Sequence, residues 1–361
     1  MPSKDPVLQR LIDQVRSAHK PFDIQAGNTK RFYGEMPHGD VLDLRPLAGI
    51  SSYEPSELVV TVRAGTPLAE LEAVLADKGQ CLPFEPPRFA AGGTVGGMVA
   101  SGLSGPSRAS VGMVRDYVLG TTLLNGQGEL LSFGGQVIKN VAGYDVSRVM
   151  AGSLGVLGVI CEVSLKVLPS APASATLVFA VDQAQALQQL NAWTGQPLPI
   201  NASAWYHGQL HLRLAGAQAA VQAACSKLGG SLVEPEIAAS WWDSVRDHQH
   251  AFFHFDSSQL ARGETLWRLS LPATAAPLDL PGNLFIEWGG AQRWLRGHAP
   301  AKQVRAAAAQ AGGHATLFRA GTPRSEVFTP LSAPLLRIQK ALKHAFDPKG
   351  LFNPGRLYRD F

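Results

Sequence analysis

The apolar positions of the chain change period several times, and each change marks an element. Leu8, Leu11, Ile12 and Val15 share one helical face behind Asp5-Pro6, an N-cap with proline at the first helical position. Pro21 closes that helix, and Phe22–Ile24, Val41–Leu44 and Leu58–Arg63 read as short strands. A second helix starts at Thr66-Pro67 and stops at Gly79. Two strands are expected near Tyr117–Leu124 and Glu129–Phe133, joined by a turn at Gly126-Gln127-Gly128. Val159, Cys161, Val163, Leu165 and Val167 then alternate, which predicts one strand with these side chains on a single face. Pro169 and the run SAPASA mark a domain boundary.

Beyond the boundary the order is strand (Leu177–Val181), helix (Ala184–Trp193), strand (Ala202–Tyr206), strand (Gln209–Leu214), helix (Ala217–Leu228), strand (Ser231–Glu234). That is the β-α-β-β-α-β order of a split βαβ unit. A helix over Trp241–Phe252 and strands near Leu266–Leu271 and Leu284–Trp288 follow. The last helix spans Ser332–Phe346, where Leu335, Ile338, Leu342 and Ala345/Phe346 form the stripe expected to be buried, with Arg337, Lys340 and Lys343 off it. No internal repeat is evident. The pattern predicts an α+β chain in three parts: residues 1–170, residues 171–325, and a tail, 326–361.

Composition narrows the class. Of 361 residues, 45% are apolar and 17% charged, which is ordinary globular usage. No apolar run approaches the ~20 residues of a membrane span, and the first residues show no signal-peptide core, so the expectation is a cytoplasmic chain. Cys81, Cys161 and Cys225 lie far apart with no metal-site spacing. Residues 291–361 hold 12 Lys/Arg against three acids, a net +9 within an overall +4. No aromatic–basic interleaving accompanies that charge, so nucleic acid is not the expected partner. It is either a solvated basic face or a docking surface for an acidic partner or an anionic membrane.

The chemistry lies in four loops of the first half: Ala26–Lys30, Gly92–Pro106, Lys139–Asp145 and Gly152–Gly158. The run AAGGTVGGMVASGLSGP carries Gly92, Gly93, Gly96, Gly97, Gly102 and Gly105, with Gly112 close behind. Such density lets backbone N–H groups approach an extended anion, and a diphosphate is the natural guest. One glycine loop alone often marks only a bulge or close packing. Four within about 130 residues point to a large phosphate-bearing ligand. A Walker loop is absent, and Gly152-Ser153-Leu154-Gly155 does not fit a Rossmann fingerprint.

With those loops in order, the first half resembles the FAD-binding domain of the vanillyl-alcohol oxidase/p-cresol methylhydroxylase (PCMH-type) superfamily. The matching pieces are VVTVRAGTPLAELEAVLADKGQCLPFEPP, GGTVGGMVASGLSGP, RDYVLGTTLLNGQGELL, KNVAGYDVSRVMAGSLGVLGVICEVSLKVLP and the C-terminal DPKGLFNPGRLY. They cover about half the chain and are specific as a set. The nearer resemblance is to the smaller flavin-binding subunits of multi-subunit bacterial glycolate oxidases (glycolate dehydrogenases). It implies a PCMH-type domain of two α+β subdomains with a reduced ferredoxin-like cap.

The same resemblance implies roles. Gly27, Asn28, Thr29 and Lys30 would wrap one side of the FAD diphosphate. Gly92, Gly93, Thr94, Gly96, Gly97, Ser101 and Gly105 would belong to the other, with the Thr and Ser hydroxyls donating to phosphate. Gly152, Ser153, Gly155, Gly158, Val159 and Ile160 would line the adenosine end. Lys139, Asn140, Gly143, Tyr144 and Asp145 would lie near the isoalloxazine, and Asn353 would approach it from the tail. Read as residues alone, Tyr144 fits core packing and Asp145 fits a helix N-cap. The family's attachment points carry no His or Cys here, so FAD is expected to be non-covalent.

Relatives that oxidise 2-hydroxy acids carry a His-x-Gly-x-Gly-Asn-x-His metal motif, and this sequence has no such string. His207/His211 and His248/His250/His254 are the nearest clusters. His250 and His254 fit an i,i+4 helical pair, but no carboxylate motif supports them, so no metal is expected. Three readings stay open. The first is an accessory or electron-relaying FAD subunit in a complex that oxidises glycolate to glyoxylate. Its partners would be a larger homologous flavoprotein and an iron–sulfur subunit, with any membrane association peripheral. The second is a self-sufficient FAD enzyme for another 2-hydroxy acid or alcohol. The third is a structural subunit.

Overall fold

The computed structural model describes residues 5–135, 145–322, 324 and 326–359. In chain order its first strands are β1 (Phe22–Gln25), β2 (Asp40–Asp43), β3 (Ile50–Glu54), β4 (Val59–Arg63), β5 (Gln80–Cys81), β6 (Val118–Leu124), β7 (Leu130–Gly134), β8 (Val159–Lys166) and β9 (Leu168–Pro169). β1 and β2 pair in parallel, and β3-β4-β8-β6-β7 form an antiparallel sheet. Helices Leu68–Ala76 and Val95–Ser101 cover that sheet, burying Leu68, Leu71, Leu75, Val95, Met98 and Val99 against Val60, Val62, Val163 and Leu165.

Strand β8 departs from simple alternation. Thr122 pairs with Glu162 but Leu123 pairs with Ile160, so Cys161 is the extra residue of a β-bulge. One added residue flips the parity of a strand. Val159 and Cys161 therefore join a small core with Leu42 and Phe352, while Ile160 joins Val163 and Leu165 in the main core. The five residues expected on one face are thus divided between two.

The remaining strands are β10 (Ala173–Ala180), β11 (Ile200–Tyr206), β12 (Gln209–Gly216), β13 (Ser231–Val233), β14 (Thr265–Ser270), β15 (Asn283–Glu287), β16 (Gln292–Gly297) and β17 (His314–Arg319). They form one antiparallel sheet in the order β13-β10-β12-β11-β15-β16-β14-β17. Residues 173–233 make the expected βαββαβ unit. A second unit, β14 to β17 with helix Ala301–Gln310, repeats the same strand order in mirror sequence and joins the first through β11 and β15. Its first helix is replaced by residues 271–282, where Pro272, Pro277 and Pro281 deny backbone donors to a helix.

Two expectations change here. The helix placed over Trp241–Phe252 is Pro235–Arg246. His248 then takes a left-handed φ of 56°, so His250 and His254 flank a 3-10 turn rather than sharing a helical face. In helix Ala333–Phe346, Leu335 and Ile338 are 51% and 60% exposed, whereas Lys343 is buried. Only the C-terminal half of that helix meets the sheet, through Leu342 and Phe346.

Candidate functional site

Backbone contact builds the principal cleft. Strand β1 runs into the loop 26–31, which lies on the turn before helix Val95–Ser101. A Cβ on Gly27 would stand 1.7 Å from the Gly92 carbonyl oxygen. Only a residue without a side chain admits that approach. Gly96 is equally constrained: its Cβ would meet the Ala64 Cβ at 2.6 Å, and its N–H donates to Ala64 O at 2.8 Å. This fixes the helix start against the end of β4.

The cleft between these loops, the turn 154–160 and the C-terminal tail is open to solvent and spans about 830 Å³ with its mouth included. Asn353 ties its walls together. Its Oδ1 accepts from Ile24 N (2.8 Å), and its Nδ2 donates to Leu154 O (2.7 Å). Lys30 supplies a cation at the rim, with Nζ 5.7 Å from the Phe89 ring centroid. Burial holds its ammonium down at about 8, partly offset by Asp247 and Glu72. The Asp23 carboxylate is engaged by Arg31 (2.7 Å) and by Gln25 Nε2 (2.7 Å), which tempers its charge toward an anion. An extended cleft of glycine backbone with a desolvated lysine suits a dinucleotide diphosphate.

Of the residues expected to hold such a ligand, Gly27, Asn28, Thr29, Lys30, Thr94, Gly96, Gly97, Ser101, Gly155, Gly158, Ile160 and Asn353 line this cleft. The β8 bulge puts Ile160 there. Gly92 and Gly93 sit behind the lining, against Gly27 and Thr29. Gly152, at φ 86°, supports the Gly102 turn, and Ser153 accepts from Gly155 N (3.4 Å). Val159 is core. The Ser101 hydroxyl lies 3.0 Å from Met98 O, to which it donates within its own helix. Thr94 Oγ1 accepts from Gly97 N (3.3 Å) as an N-cap.

Gly105 lies away from the cleft, its carbonyl accepting from Trp288 Nε1 (3.0 Å). Asp145 is exposed; it caps helix Val146–Val149 through Arg148 N (3.3 Å) and pairs with the Arg148 guanidinium (3.0 Å). Lys139, Asn140, Gly143 and Tyr144 lie outside the described residues. Sequence reasoning missed Arg356, which lines the cleft while donating to Glu35 O (3.1 Å) and Arg31 O (3.3 Å). Its proximity to the NPG turn was the available signal. Among the described residues no group of three or more His, Cys, Asp or Glu side chains could hold a metal ion.

Residues 1–134 match the family model of an FAD binding domain. The whole chain is similar to the glycolate oxidase subunit GlcE of Escherichia coli K12, at 46% identity over 98% of this chain and 97% of that one. The chain belongs to the GlcE family of glycolate oxidase subunits. Its cofactor is FAD, and it is an oxidoreductase chain of the FAD-dependent class. More distant similarity reaches a D-2-hydroxyglutarate dehydrogenase of Xanthomonas citri pv. viticola (30% identity; 50% of this chain, 38% of that one). It also reaches the glycolate oxidase subunit GlcD of Bacillus subtilis 168 (29% identity; 50% of this chain, 39% of that one). No helix among the described residues is long and apolar enough to cross a membrane.

Proposed function

We propose that this chain is the smaller FAD-binding subunit of a multi-subunit oxidase that converts glycolate to glyoxylate. The observation that carries the reading is the end-to-end similarity to GlcE, joined to a glycine-walled cleft of dinucleotide size. In this reading the loop 26–31, the Thr94–Ser101 segment, the 154–160 turn and Asn353 hold FAD non-covalently. When bound, FAD supplies two-electron redox chemistry. The chain's own part is to fix the diphosphate by backbone contact and Lys30, and to keep the tail closed over the cleft.

Its role in the complex is accessory or electron-relaying. The sequence has no His-x-Gly-x-Gly-Asn-x-His string, and three dispersed cysteines fall short of the four that an iron–sulfur cluster normally takes. A larger homologous flavoprotein and an iron–sulfur subunit complete the assembly, in the cytoplasm or peripherally at the inner membrane face. Two measurements test this. Acid precipitation of the purified yellow chain should release its flavin into the supernatant. Anaerobic glycolate should bleach the flavin only when the partner subunits are present; bleaching of the isolated chain favours a self-sufficient enzyme instead. A colourless chain that takes up no FAD overturns both and leaves a structural subunit.

A further inference from the structure

One cation of the cleft is supported from across the molecule. Lys30 Nζ stands 3.9 Å from where a Gly93 Cβ would lie, the same distance as Arg88 O, and it sits over the Phe89 ring. Lys30 joins none of the ion pairs found among the described residues. Its ammonium is left for an anion in the cleft, provided the surroundings keep it charged.

That support comes from the helix Pro235–Arg246, which lies on the eight-stranded sheet. Trp242 anchors it there, donating through Nε1 to Thr176 Oγ1 (3.0 Å) on β10. Asp247 caps the end of this helix, and its Oδ1 accepts from Arg88 N (3.0 Å). Arg246 pairs with the same carboxylate (2.7 Å). The next residues repeat the contact, since the Phe89 and His248 rings meet edge to face with centroids 5.0 Å apart. Residues 88–89, against which Lys30 rests, are thus held by residues 247–248. Burial disfavours the Lys30 charge; Asp247 offsets this most and Glu72 next. Glu72 is itself paired with Arg88 (2.7 Å), and burial holds His248 neutral, helped by Arg319 and Arg268. Arg319 lies 5.9 Å from the Phe89 centroid. On the cleft side Asp23 is paired with Arg31 (2.7 Å), and Arg356 donates to Lys30 O (3.5 Å).

We propose that Asp247 is a positioning residue for the cofactor: it holds the Arg88–Phe89 backbone against Lys30 and keeps that ammonium charged for the FAD diphosphate. This rests on the reading of the cleft as an FAD site. The direct and indirect effects of such a carboxylate differ in sign. Acting directly, its charge repels the diphosphate, so removing it strengthens FAD binding. Acting through Lys30, its removal weakens FAD binding wherever the lysine then loses its proton. The Lys30 ammonium is held down at about 8 by burial, which brings that loss into an accessible range. At about pH 6 the lysine is charged with or without Asp247, so only the direct effect remains there.

Titration of the full chain, stripped of flavin, with FAD tests this, read by flavin fluorescence from about pH 6 to about pH 9. The parent's affinity should fall about tenfold between about pH 7 and about pH 9 as Lys30 loses its proton, and Lys30→Met should flatten that fall. Asp247→Asn keeps an acceptor for Arg88 N but removes the charge. It should bind FAD no more weakly than the parent at about pH 6, and about threefold or more weakly at about pH 8. In the Lys30→Met background the same substitution should cost no affinity at any pH. An equal loss at both pH values marks Asp247 as merely structural and overturns the proposal, as does a profile that coincides with the parent's. Should circular dichroism show Asp247→Asn unfolded, Arg246→Gln decides with the opposite sign. It strips the carboxylate of its guanidinium, so the fall should move to higher pH; a fall that stays in place or moves down overturns the proposal. A chain that takes up FAD at no pH defeats the proposed function and this inference together, whereas FAD binding without the predicted profiles defeats this inference alone.

Discussion

Replacing Lys343 by methionine should loosen the tail that closes the FAD cleft. The Lys343 ammonium donates to Val156 O (2.6 Å), Phe352 O (2.8 Å) and Asp347 Oδ2 (2.6 Å), so all three of its protons are used. Asp347 in turn accepts from Leu351 N (2.9 Å) and Phe352 N (2.8 Å). The two side chains are 8% and 0% exposed. Removing the ammonium leaves a buried carboxylate uncompensated and two carbonyls without donors. Breaking one side of such a pair costs about 3–5 kcal/mol, a large part of a typical stability of about 5–15 kcal/mol.

The double variant Lys343→Met/Asp347→Leu removes the uncompensated charge but still orphans the Leu351 and Phe352 amides. It should therefore lose less than the sum of the two single variants, by about 2 kcal/mol or more. Urea unfolding followed by circular dichroism measures both effects. The tail also carries Asn353, whose N–H donates to Phe22 O (3.0 Å), so FAD affinity should fall in parallel. Stability within about 1 kcal/mol of the parent, or strict additivity of the two substitutions, would refute the idea that this pair locks the tail.

Gly27→Ala should leave the sheets folded but force the two loops apart, since its Cβ would lie 1.7 Å from Gly92 O; FAD titration should show a loss of about tenfold or more. Gly195→Ala, with no atom within 4 Å of the new Cβ, is the matched control and should bind FAD normally. Burial raises the Glu287 carboxyl to about 7 from an ordinary 4.5, so folding favours its protonated form. That contribution is full below pH 4.5 and lost as pH rises towards 7, by about 3 kcal/mol; Glu287→Gln should flatten the unfolding midpoint across that window. Charge reversal at Arg337 and Lys340 should reduce co-purification with the larger flavoprotein about tenfold at low salt and less at high salt; unchanged assembly would mark that face as merely solvated.

The cleft was legible in the sequence for a physical reason. Where two backbones must touch, as Gly27 does at the Gly92 carbonyl, no residue with a side chain can stand at Gly27, so composition itself records the contact. The first βαββαβ unit was legible because its apolar period changes at each boundary. The second was not, because prolines replace one of its helices and, apart from the β15–β16 hairpin, leave strands that pair across long stretches of chain. Arg356 escaped for the opposite reason to the glycines. Its side chain is placed by packing across 321 residues of chain, to Glu35, and its neighbourhood to the Asn353-Pro354-Gly355 turn is the one local hint of it.

Helix Ala333–Phe346 shows how a correct period can still mislead. The stripe through Leu335, Ile338, Leu342 and Phe346 is apolar, but half of it faces outward. Lys343, which the pattern assigns to solvent, is drawn inward by Asp347 and two carbonyls. Periodicity reports which residues a helix would bury, not whether this chain alone supplies the surface. In a subunit of a larger assembly those two questions separate. The outward Leu335 and Ile338, flanked by Arg337, make this helix the place where the charge-reversal experiment bears most directly on whether a partner covers it.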